Sequence, residues 1–120
     1  MFGKYFSAKE FDSPDAPGSG DLMHEDFISR LIIARTLAGM PFVINSGYRT
    51  KERNTRVGGV ANSSHLIGRA ADIATKSSAD RFKILTALID AGFDRIGIGQ
   101  TFLHVDDDPT KSLNKIWTYK

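Results

Sequence analysis

Two histidines and two aspartates carry the most chemical content in this sequence. His65 and Asp72 lie in the stretch Gly58-Gly59-Val60-Ala61-Asn62-Ser63-Ser64-His65-Leu66-Ile67-Gly68-Arg69-Ala70-Ala71-Asp72, and His104 and Asp106 lie in Phe102-Leu103-His104-Val105-Asp106. Two imidazoles and a carboxylate are a ligand set for a catalytic zinc ion, which takes three protein ligands and keeps one position open. His65, Asp72 and His104 are the candidates. Taken singly, each also reads as an ordinary surface or core residue.

The elements around them favour convergence. His65 and Asp72 are seven apart, a spacing that would stack them on one helix face, but Gly68 and the Gly-Gly and Asn-Ser-Ser runs argue against a continuous helix. A loop feeding a short strand, Ala70 to Ala74, fits better, with Asp72 on the face opposite Ala71 and Ile73. In Phe102 to Asp106, period two places His104 and Asp106 on one face of a second strand, flanked by Phe, Leu and Val.

Upstream, Ser7 and Glu10 have capping-box spacing, which predicts a short helix, and the Pro- and Gly-rich residues 13 to 20 read as a loop without chemistry. Phe27, Ile28, Leu31, Ile32, Ala34, Leu37 and Ala38 recur at helical spacing and predict the main core helix, about Glu25 to Gly39. His24, just before it, reads as a solvated residue. Pro41 to Ser46 reads as a strand that runs into Gly47-Tyr48-Arg49-Thr50, where Arg49 is either one more surface cation or a displayed functional group. Lys51 to Arg56, with Asn54, reads as a polar, structural connection. Phe82, Ile84, Leu85, Leu88 and Ile89 predict a second amphipathic helix over Ala79 to Ala91. Phe93 to Gly99 should pair with the His104 strand through a turn at Gln100-Thr101, and the tail holding Trp117 should form an edge strand or cover the sheet. Asp107 and Asp108 read as solvated or turn residues. Two unequal helices among irregularly spaced strands predict an α+β domain with a mainly antiparallel sheet.

Length and composition bound the rest. A chain of 120 residues with 41% hydrophobic and 10% aromatic residues can bury one core, so a single domain spanning 1–120 is expected. The formal net charge of +2 comes from scattered basic residues without interleaved aromatics, which speaks against nucleic-acid binding, including a nuclease built from His and Asp. With no cysteine, disulfides and thiolate metal ligands are excluded and the redox compartment is left open. Neither a secretory signal nor an apolar run of membrane-spanning length is apparent, so a soluble monomer is expected, without an export signal in the given chain.

Residues 63 to 72 carry the pattern Ser-x-His-x-x-Gly-x-Ala-x-Asp, on Ser63, His65, Gly68, Ala70 and Asp72. Together with Ser46-Gly47-Tyr48-Arg49-Thr50, Asn54, Val57-Gly58-Gly59 and His104-Val105-Asp106, this resembles the zinc D-alanyl-D-alanine carboxypeptidases, relatives of lysostaphin-type peptidases and hedgehog domains, from about residue 5 to residue 108. The resemblance implies a hedgehog-like peptidase fold and Zn2+ held by His65, Asp72 and His104. It also implies that Arg49 reaches the substrate and its developing oxyanion, and that the Ser63 region, beyond capping its loop, holds polar groups of the substrate. The implied substrates are peptidoglycan peptides containing D-amino acids, cut as a carboxypeptidase or an endopeptidase at the bacterial wall or periplasm. Without a leader, release on lysis as a phage lysin or carriage on a virion would fit; a bacterial enzyme would fit if a leader had been removed. The alternative is a wall-binding module that keeps zinc without catalysis.

One position departs from that pattern. Many family members place a glutamate or aspartate three residues before the last histidine, where this chain has Thr101, which cannot act as a base. Asp106 is the candidate base by strand alternation. Its rival role is to orient a histidine ring as a hydrogen-bond partner.

Overall fold

Alternation in two neighbouring strands sets the architecture. The computed structural model describes residues 1–119. Its five-stranded sheet has the order β1-β2-β4-β3-β5, with β1 at Ile44–Ser46, β2 at Ala70–Ala74, β3 at Arg95–Ile98, β4 at Phe102–Asp106 and β5 at Lys115–Thr118. The first four strands pair antiparallel, and β5 adds to β3 in parallel. The fold is the expected α+β class with a mostly antiparallel sheet.

On one face, Ala71, Ile73, Leu103, Val105 and Ile96 are buried against the helices α1 (Glu25–Ala38) and α3 (Ser78–Asp90). Phe27, Ile28 and Leu31 from α1 and Ile84 and Leu88 from α3 complete this core with Phe11, Phe42 and Phe93. Each such side chain contributes roughly 1.5–3 kcal/mol when removed from water. The opposite face carries Asp72, His104 and Asp106, which period two assigns to it.

The helices start and stop where their ends are satisfied. His24 is the N-cap of α1, its Nδ1 accepting from the Asp26 N–H at 3.3 Å, and Gly39 closes the helix at φ +65°. That is the position of His24: a cap 2.7 Å from an Arg69 nitrogen through Nε2, outside the candidate metal cluster. Ser77 caps α3 by accepting from the Asp80 N–H.

Several expectations shift. The short helix near Ser7 is a 3-10 turn, Ala8–Phe11, with the Ser7 N–H donating to Glu10 Oε2 at 2.7 Å. Lys51–Arg56 is a helix, α2, capped by Thr50 Oγ1, which accepts from the Arg53 N–H. Only Ile44–Ser46 of the Pro41 to Ser46 stretch is regular strand, and its register against β2 shifts between Ile44 and Ser46. Leu37 on α1, and Phe82 and Ile89 on α3, face solvent, so each helix buries a narrower stripe than its apolar spacing suggested.

Candidate metal centre

His65 sits in a 3-10 turn, Ser64–Ile67, between the N-cap Ser63 and Gly68. Ser63 Oγ accepts from the His65 N–H at 3.2 Å. Gly68 is left-handed at φ +71°, and a Cβ there would come within 2.3 Å of the Leu22 carbonyl oxygen, so only glycine suits this end of the turn. The segment after β1 clamps the turn from the other side. The Arg49 N–H donates to the His65 carbonyl at 3.1 Å, and His65 Nδ1 lies 2.7 Å from the Gly47 carbonyl oxygen. A carbonyl only accepts, so Nδ1 carries the proton and, in a neutral ring, Nε2 presents its lone pair.

That lone pair faces Asp72 Oδ1 at 3.3 Å. His104, paired with Asp72 across β2 and β4, brings Nδ1 to 2.9 Å from the same oxygen. Its Nε2 lies 2.8 Å from Asp106 Oδ2, so each ring nitrogen faces a carboxylate. A neutral ring that donates to Asp106 through Nε2 turns its Nδ1 lone pair to Asp72. With the His104 proton on Nε2, neutral His65 and His104 both aim lone pairs at Asp72 Oδ1, a repulsive arrangement that a shared cation relieves. A second proton on His104 relieves it too, by letting the ring donate to both carboxylates. One ligand atom from each of His65, Asp72 and His104 lies within 4.8 Å of the other two. Zinc ligands about 2.0–2.1 Å from a tetrahedral ion stand about 3.3 Å apart, so the donor types and spacings fit zinc.

The electrostatics describe the alternative to a shared cation, a protonated His104 that donates to both carboxylates. Burial works to raise the Asp72 carboxyl, but the bonds to His104 and His65 outweigh it and hold it well below the usual range. Burial works to lower His104, yet its bonds to Asp106 and Asp72 leave it raised. Arg49 borders the cluster, with Nη2 3.4 Å from Asp72 Oδ2, Nε donating to Ser46 Oγ and Nη1 to Asn54 Oδ1. Burial lowers its guanidinium somewhat, with Asp72 opposing that shift.

The family model for Peptidase M15 matches residues 9–106. The chain belongs to the M15 peptidases. This is the zinc D-alanyl-D-alanine carboxypeptidase type of peptidase, and its members are zinc-dependent. A sequence search of curated proteins returned no match.

In this M15 peptidase, sequence reading missed the buried partners Arg95 and Asp108. Arg95, one of the polar positions in an apolar-glycine strand, is buried and donates through Nε to Asp106 Oδ1 at 2.6 Å. Both oxygens of Asp106 are thus engaged, and its carboxyl is lowered: burial raises it, but His104 and Arg95 outweigh that. The signal was present, since alternation with the buried Ile96 sends Arg95 to the face of Asp106. Asp108, read as a solvated or turn residue, is not solvated: it is buried and accepts from Ser64 Oγ at 2.8 Å, while accepting from the Thr110 N–H at 2.9 Å as a turn residue does. Asp107 pairs with Arg69 at 3.2 Å. Asn54 on α2 is buried and donates to the Val60 carbonyl, fixing the Gly58-Gly59 turn that edges the site.

The cluster lies on the floor of a cleft of about 430 Å³, bordered by Arg49, Gly59, Val60, Ser63, Trp117 and Tyr119. This falls within the usual range of about 300–1,000 Å³ for ligand sites.

Proposed function

We propose that this M15 peptidase hydrolyses peptidoglycan stem or cross-link peptides that contain D-amino acids, with zinc held by His65, Asp72 and His104. The observation that carries this reading is the pair of imidazole nitrogens aimed at one oxygen of Asp72, at 3.3 and 2.9 Å, on the floor of an open cleft. Zinc in that position supplies Lewis acidity, which lowers the pKa of water to roughly 7 and polarises the carbonyl to be attacked.

The chain's own groups do the rest. Arg49 stays protonated in use and offers its fork of donors to the oxygen that gains charge, a contribution of about 3 kcal/mol for one well-placed donor. Ser63 holds the turn that presents His65 and borders the space where the peptide main chain lies. Asp106 meets His104 at Nε2, across the ring from the Nδ1 that faces the metal position. This supports a role in fixing the tautomer and orientation of His104, rather than the alternative role of base. Arg95 keeps Asp106 in place for that task.

A second reading, a zinc-holding wall-binding module, draws support from Thr101 at the position where many relatives carry an acid, and from the full engagement of Asp106. Zinc content before and after chelation, followed alongside release of free D-alanine or shortened stems from purified peptidoglycan, separates the two. One zinc per chain with chelator-sensitive release is the expected result. Zinc bound tightly with no bond cut in any wall preparation would replace the hydrolase with the binding module. Absence of bound zinc would remove both.

A further inference from the structure

The family match ends at residue 106, yet the chain beyond it borders the cleft. Ser46, Asp72, His104, Gly97 and Trp117 form one row across β1, β2, β4, β3 and β5 by register. Gly97 is the bare position in that row. A Cβ there would stand 2.6 Å from the Trp117 indole nitrogen and 2.7 Å from the Tyr119 ring, so its absence lets the aromatic side chains lie over the strand. The indole ring consequently reaches 5.7 Å from the His104 ring, centroid to centroid, while the Arg95 guanidinium lies over it at 5.1 Å. Tyr119 packs on Phe102 at 5.2 Å.

The segment is anchored along its length. Asp108 accepts from Ser64, the neighbour of His65, and Lys111 Nζ donates to the same Ser64 hydroxyl at 2.8 Å. Arg95 Nη1 donates to the Ser112 carbonyl at 2.5 Å, and the Tyr119 N–H donates to the Ile98 carbonyl at 3.0 Å. The wall is therefore tied to the His65 turn and to the Asp106 partner, and its backbone is held against the sheet.

From this geometry we infer that Trp117 is a specificity-determining residue: it forms the cleft wall against which a small, apolar substrate side chain beside the scissile bond packs. The inference rests on the hydrolase reading above. Arg49 adjoins Asp72 on the β1 side of the row, and Trp117 lies beyond His104 on the other side. A peptide crossing the metal position thus meets a cation at one end and an indole face at the other. The Gly58-Gly59-Val60 turn also borders the cleft, and on this inference the space between it and the indole suits an extended main chain with methyl-sized side chains.

The test uses the zinc-loaded full chain with two probes, a synthetic stem pentapeptide ending in D-Ala-D-Ala and soluble peptidoglycan fragments. For whichever is cut, the alanine beside the cleaved bond is replaced by leucine of the same configuration. Wild type should prefer alanine by about tenfold or more, the scale of a few methylenes in a fitted pocket. Trp117→Ala should raise KM about fivefold, leave kcat within about twofold and bring the alanine preference below about threefold. Trp117→Phe should restore most of both. Should Trp117→Ala lose its folded circular dichroism spectrum, Trp117→Leu carries the same expectation, since it keeps apolar bulk over Gly97 without the ring. Wild-type KM and unchanged alanine preference in the folded variant overturn the inference and leave the hydrolase reading standing.

A second readout separates the two failures. Trp117 is the sole tryptophan, so Co2+ added to the metal-free chain should quench its emission with a stoichiometry of one. Quenching and cleavage without a change in selectivity sink the assignment of Trp117 alone. No quenching, or no cleavage of either probe, sinks the hydrolase reading and this inference with it.

Discussion

The two faces of β2 and β4 are built from the same ten residues and obey opposite rules. Toward the helices stand Ala71, Ile73, Leu103 and Val105, all buried and held by non-directional packing. Toward the cleft stand Asp72, His104 and Asp106, of which His104 and Asp106 are also nearly inaccessible, and they are held by directional bonds to one another and to Arg95. A buried charge without a partner is far more costly than an exposed one, so the polar face is stable only as a network. The apolar face tolerates substitutions in proportion to volume, whereas the polar face fails by connection.

Removing a ligand breaks the comparison most severely. His65→Ala, Asp72→Ala and His104→Ala should each abolish zinc retention through dialysis, read by metal analysis, and with it all turnover. On the opposite face, Leu103→Ala should cost roughly 2–5 kcal/mol in denaturant unfolding while zinc stoichiometry stays at one. A loss of zinc in that variant at temperatures where it is folded would show that the faces are not independent.

Arg49→Ala should lower kcat about 10²-fold, equivalent to about 3 kcal/mol, with zinc still bound. Asp106→Asn should weaken zinc affinity by about 10–100-fold, the usual effect of losing a partner behind a histidine ligand, and turnover should recover when zinc is supplied in excess. Turnover that collapses at full zinc occupancy would instead give Asp106 the role of base. The smallest effect belongs to the solvent side of α3, where Phe82→Ser should change stability by no more than about 0.5 kcal/mol.

How far this was readable in the sequence follows from the same contrast. Period two needs only the chain itself, so the strands carrying Asp72, His104 and Asp106 and the face they share were legible, as were α1 and α3. Arg95 was hidden by its company: isoleucines and glycines around it suggested a crowded apolar strand, and its partner Asp106 is eleven residues away across a turn. Helix α2 escaped because Lys51–Arg56 is polar nearly all round, with a single buried residue, Asn54, and thus no periodic apolar signal. Asp108 looked solvated because nothing local announces a hydroxyl 44 residues upstream. Phe82 and Ile89 misled in the opposite direction, being apolar residues at helical spacing that the packing leaves outside. The parallel pairing of β5 depends on the sheet having an open edge beside β3, which no local pattern encodes.

The clamp on His65 bears on how the molecule is assembled. Asp72 and His104 become neighbours as soon as β2 meets β4, but His65 is aimed only after Gly47 has arrived from the far edge of the sheet. A half-assembled chain therefore offers a two-point grip from which a stray cation escapes quickly, and the three-point grip appears only once β1 has docked. Firm uptake of metal during refolding would then be a late event, and a stopped-flow record of it would time the closing of that edge.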